Sequence, residues 1–100
     1  MTVSDLKRSA GADPSPPAGL SPELRALWFT KAGQWEEAHQ VAQDIHTRTG
    51  SWLHALLHLI EGDTSNAGYW FHQAGRSPVG SGQIEAEWER IAAALLGPAA

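Results

Sequence analysis

Apolar residues recur every three or four positions along most of this chain, and glycines break the pattern at short intervals, so only short helices fit it. Leu24, Leu27, Trp28 and Lys31 fall at helical spacing and lead to Gly33. In WEEAHQVAQDIHTR, residues Trp35, Ala38, Ala42 and Ile45 form one stripe, and Gly50 follows as a stop. SWLHALLHLIE carries Leu53, Leu56, Leu57 and Ile60, with Ser51 as its expected cap and Gly62 as its break. A fourth segment, capped by Asp63, places Ala67, Trp70, Phe71 and Ala74 on one face. After RSPVGSG comes a fifth, with Ile84, Trp88, Ile91 and Leu95 and a Gly97-Pro98 stop. No segment alternates with the period of two that a half-buried strand requires. The expectation is an all-α fold of about five short helices in stacked antiparallel hairpins.

Order is expected to begin at Ser21-Pro22-Glu23, where Ser suits the N-cap, Pro the first helical position and an acid the first turn. Residues 1–20, with Pro14, Pro16 and Pro17 among Ser, Gly and Ala, read as a disordered tail, and residues 21–97 as a single helical domain. Five tryptophans are available to fill so small a core.

The chain has no cysteine, which removes disulfides, thiolate metal sites and cysteine nucleophiles. A net charge of −4 with no basic cluster argues against nucleic acid as a partner. No apolar run approaches the length of a membrane span, and no secretory leader is recognisable, so a cytoplasmic, membrane-free protein is expected.

Overlaying helix pairs exposes an internal repeat. KAGQWEEAHQVAQDI aligns with IEGDTSNAGYWFHQA so that Gly33 meets Gly62, Ala38 meets Ala67 and Ile45 meets Ala74, each pair 29 positions apart. The placement of Gly62-Asp63, Ala67, Phe71, Ala74 and Pro78 resembles the second half of a tetratricopeptide repeat, whose period is about 34 residues. That resemblance implies tetratricopeptide-like hairpins. A second resemblance runs through Trp35, Ala38-His39, Gln43-Asp44, Trp52-Leu53-His54-Ala55, Leu57-His58, Glu61-Gly62-Asp63, Asn66-Ala67 and Tyr69-Trp70. Over roughly residues 24 to 76 the chain is similar to a family of small, mostly bacterial, uncharacterised helical proteins with a W-x-H-A-x-L-H-x-x-E-G-D-x-x-N-A-x-Y-W core. Where that pattern often has a basic residue after the second histidine, this chain has Leu59. The resemblance implies a helical fold and carries no established activity.

Chemistry concentrates in HALLHLIEG. His54 and His58 stand at i and i+4, so one helix face brings both imidazoles within reach of one ion. A zinc site needs three or four ligands, and Glu61 lies about 10.5 Å along the axis from His54, so it suits an acceptor that orients His58 better than a third ligand. The missing ligand is expected from the preceding helix, with His39 and Asp44 as candidates. Asn66, Tyr69 and Trp70 complete the candidate crevice. In the competing reading the histidines are hydrogen-bonded and metal-free beside Tyr69 and Trp70. Ala55 stands where a zincin carries its glutamate, which excludes that class of metalloprotease. Glu85, Glu87 and Glu89 read as a solvated face rather than paired catalytic carboxylates.

Two functions follow. One is a protein-binding or self-associating module, a homodimer above all, because more aromatic and leucine surface is encoded than five short helices can all bury. The other is a protein, enzymatic or not, that binds a divalent metal or small ligand at a histidine site between the second, third and fourth of the expected helices. No other cofactor is implied.

Overall fold

Thr2 opens a helix where a tail was expected. A computed structural model describes residues 1–97 and shows α-helices α1 (Val3–Ala12), α2 (Pro22–Lys31), α3 (Trp35–Gln43), α4 (Arg48–Glu61), α5 (Thr64–Ala74) and α6 (Ile84–Leu96). A single 3₁₀ turn, Ser81–Gln83, leads into α6, and no strand occurs among the described residues. No helix there is long and apolar enough to cross a membrane. Gly97 closes α6, while Pro98, the expected stop, lies outside the described residues.

Thr2 and Asp5 satisfy each other's backbone amides in a reciprocal cap, and Val3, Leu6 and Ala10 then form a buried stripe at i, i+3 and i+7. The proline run at 14–17 masks this stripe when composition is averaged over twenty residues. α1 packs on α2 and α6, and the Trp28 indole N–H donates to Ser9 Oγ at 3.0 Å.

The loop between α3 and α4 also differs from expectation. α3 stops at Gln43, and Thr47, not Ser51, caps the next helix by accepting from the Gly50 amide at 3.1 Å. Gly50, read as a stop, sits buried in the first turn of α4. A Cβ there would collide with the Ile45 carbonyl, so glycine serves a close approach of backbones rather than a helix end.

α4 is the centre of the fold, in contact with α2, α3, α5 and α6. Its Trp52, Leu53, Ala55, Leu56, Leu57 and Leu59 are all buried, the apolar-all-round pattern of an interior helix. Ile60 escapes to the surface. α2–α3 and α4–α5 are both helical hairpins, turned by Gly33 and Gly62 in the left-handed region (φ 79° and 86°). The aligned alanines Ala38 and Ala67 are both buried, whereas Ile45, aligned with Ala74, lies past the end of α3.

Tryptophans tie the helices together through their indole N–H groups as well as their area. Trp88 donates to the Leu27 carbonyl at 2.9 Å, and Trp52 to Glu87 Oε2 at 2.8 Å. Glu87 is therefore not on a solvated face: it is 3% exposed and takes a second charge-assisted bond from Arg90. Glu85 and Glu89 do face solvent, paired with Lys7, and Lys31 also reaches Glu85. The expected surplus of apolar surface is only partly taken up, for Phe29, Trp35 and Trp70 are half-buried. Trp28, Trp52, Trp88 and Phe71 are buried, and the exposed large apolar side chains among the described residues are Met1, Ile60 and Tyr69.

Leu6, fully buried, decides whether α1 belongs to the domain. Leu6→Ala is expected to cost about 2–5 kcal/mol in urea unfolding. A cost below about 0.5 kcal/mol, the level of a neutral surface change, would return residues 3–12 to a tail.

Candidate metal centre

Three helices converge on one cluster of imidazoles. α4 presents His54 and His58 one turn apart, and α3 presents His39 opposite them. One nitrogen from each of the three lies within 4.8 Å of the others. Ring centroids are 4.9 Å apart for His39–His54, 5.8 Å for His39–His58 and 5.9 Å for His54–His58.

Two tryptophans wall the cluster. Trp35, four residues before His39 on the same helix, lies parallel to its ring at 4.8 Å and 8°. Its N–H donates to the Leu57 carbonyl of α4 at 2.8 Å, so the stacked pair is clamped to the helix that carries the other two histidines. On the far side α5 lays Trp70 on His54 at 4.2 Å and 20°.

Burial makes the cluster chemically unusual. His54 is only 7% exposed, and the buried Nδ1 atoms of His54 and His58 have no hydrogen-bond partner. For His58 the Glu61 carboxylate lies 3.6 Å from Nδ1, a neighbour beyond hydrogen-bond length. Burial first, then the neighbouring His39 and His58, pull the pKa of His54 down to about 4, so at neutral pH it is the uncharged imidazole that a cation requires. An unpartnered buried polar group costs about 1–3 kcal/mol. The hydrogen-bonded, metal-free crevice expected from the sequence as the competing reading thus lacks its hydrogen bonds at these two atoms.

Of the candidates, His39, His54 and His58 come together, and Trp70 stacks on His54. Asp44 does not join them: it caps the C-terminal end of α3 and lines a separate groove of about 640 Å³ between α2 and α3, which is the larger cavity but holds none of these histidines. Asn66 is engaged in capping α5, its amide and side chain both donating to Asp63. Tyr69 is 56% exposed and meets only the edge of Trp70 within this aromatic group. His58, Glu61 and Asp63 form a second close group, but Glu61 is exposed and Asp63 is committed to its cap. Sequence reasoning missed Trp35 as a site residue, although its i, i+4 spacing to His39 mirrors that of His54 and His58. A tetrahedral zinc with Zn–N of about 2.0–2.1 Å wants nitrogens about 3.3 Å apart, so side-chain rotations would have to close the cluster further around an ion.

No protein-family model, curated protein or solved structure matches the chain.

The lowered pKa of His54 has a signed consequence. The unfolded chain takes up a proton at this residue near pH 6.5 and the folded chain only near 4. The unfolded state therefore binds more protons between those values, and stability present above pH 6.5 is lost as pH falls towards 4, by up to about 3 kcal/mol. In metal-free protein, His54→Gln should lose about 1–3 kcal/mol less than the parent between neutral pH and pH 4.5 in urea unfolding. Equal losses would contradict a buried, neutral His54.

Proposed function

We propose that this protein binds a divalent transition metal, zinc or a neighbour in the series, through His39, His54 and His58. One observation carries the reading: three imidazole nitrogens within 4.8 Å of one another, with two buried Nδ1 atoms that no protein group satisfies. Imidazole donors suit zinc, copper and nickel, whereas manganese and magnesium prefer carboxylates, which the cluster itself lacks. Three protein nitrogens also leave a fourth position for water or another ligand, as in catalytic rather than structural zinc sites.

Protein binding or self-association stands second. Its premise is unburied aromatic surface, which here amounts to exposed Tyr69 and half-buried Phe29, Trp35 and Trp70, with Met1 and Ile60 exposed as well.

The test uses tag-free, chelator-treated protein and its His54→Ala and His58→Ala variants, melted with zinc, nickel or manganese. Free metal at one hundred times Kd stabilises by about 2.7 kcal/mol, which for a chain of this size is a rise on the order of 10 °C. Zinc and nickel at micromolar concentration should give that rise in the parent, manganese much less, and both variants should lose it. Flat curves with every metal would remove the proposal.

A further inference from the structure

Away from the histidine cluster, a groove of about 640 Å³ runs between α2 and α3 and ends at the loop that leads to α4. Taking about 30 Å³ for each water in the liquid, it has room for a molecule of roughly twenty heavy atoms. We propose that it binds a small organic cation, an ammonium or amidinium group carried on an aromatic or aliphatic body.

The apolar lining is already built. Phe29 of α2, Val41 of α3 and Ile45 just past the end of α3 all line the groove, each half-buried and packed on the core. The Phe29 ring stands edge-on to buried Trp28, with centroids 5.4 Å apart and planes at 88°. Sites for small molecules are concave and mostly apolar, set with a few polar groups, at volumes of about 300–1,000 Å³. The groove meets that description, and its polar groups give the charge of the ligand.

Glu23, Glu37 and Asp44 line the same groove, and none of the three is in an ion pair among the described residues. Against them stands one guanidinium, that of Arg25, whose carbon lies 5.9 Å from the centroid of the Phe29 ring. The ring thus already takes a cation from its own helix, as an electron-rich face does. Three carboxylates against one guanidinium leave the groove negative, and apolar walls focus that field. A metal ion does not suit it: the close groups of metal-ligand atoms among the described residues include none of Glu23, Glu37 and Asp44, so the charge is spread along the groove and not gathered at a point. A protein partner needs more apolar surface. A stable interface buries at least about 1,000 Å² in total, yet the exposed large apolar side chains Met1, Ile60 and Tyr69 do not line this groove. Apolar contact beside negative charge, over the span of one small molecule, fits an amphipathic cation.

Metal-free protein is used, so this proposal and the metal site fail separately. Chelator-treated, nitrogen-15-labelled protein is titrated near pH 8, above the ordinary imidazole range, with phenethylammonium chloride and, in parallel at matched ionic strength, with neutral phenethyl alcohol, with sodium hydrocinnamate and with a blocked tetrapeptide of alternating leucine and lysine. The amides of residues 23–29 and 37–47 should shift and saturate with phenethylammonium. Its affinity should exceed that of the alcohol and of hydrocinnamate at least about fivefold, because only the charge differs in sign or presence. Glu37→Gln combined with Asp44→Asn should weaken the binding at least about fivefold, whereas Glu36→Gln, exposed outside the groove, should leave it unchanged. Arg25→Gln should tighten it at least about twofold by freeing the Phe29 face and removing a like charge, a gain that a poorly folded variant would not give. No saturating shift with phenethylammonium, shifts scattered away from the groove, equal affinity for the alcohol or hydrocinnamate, tighter binding of the tetrapeptide, an unchanged double variant, or unchanged or weaker binding in Arg25→Gln would overturn the proposal.

Discussion

The hydrogen bond from the Trp35 indole to the Leu57 carbonyl fixes α3 on α4, and the site exists because of it. Helix α3 is short, has no side-chain N-cap, and buries only two small residues, Ala38 and Ala42. Left to area alone, so thin a contact would set its rotation weakly, since the apolar effect has no direction. A buried indole that must find an acceptor supplies the direction. Because His39 lies flat against the same indole, the bond that orients the helix also aims the imidazole at His54 and His58.

The rest of the molecule supports that arrangement from behind. α4 can carry two histidines on its α3 face because its other faces are saturated with leucine, and because Trp52, Trp88 and Trp28 bind neighbouring helices to the core through directional bonds as well as bulk. The buried Glu87 is tolerated for the same reason: both its oxygens are occupied, one by Trp52 and one by Arg90. His54 and His58 present the opposite case, buried nitrogens with no partner. Within one small core the two environments separate a polar group satisfied by its neighbours from polar groups that are not.

Much of this was legible in the residues. Stripes at 3.6-residue spacing gave the helices, the Gly33 and Gly62 turns gave the hairpins, and the i, i+4 pair His54–His58 marked the helix face. What failed did so for local reasons. α1 was hidden because a twenty-residue average let Pro14, Pro16 and Pro17 outweigh a three-residue stripe. Gly50 was read as a stop because a glycine required for close backbone approach looks the same in sequence as one that ends a helix. Asp44 stood beside His39 as a candidate ligand from the same helix, but the early end of α3 places it at the α2–α3 groove.

Nitrogen-detected NMR of the imidazole rings, recorded before and after one equivalent of zinc is added to chelator-treated protein, tests the central claim with controls inside the same molecule. His46 and His72 are exposed and outside the cluster. His39, His54 and His58 should each move one nitrogen to a metal-bound shift in slow exchange, while His46 and His72 keep theirs. Equal, fast-exchanging changes at all five histidines, or none at any, would contradict it.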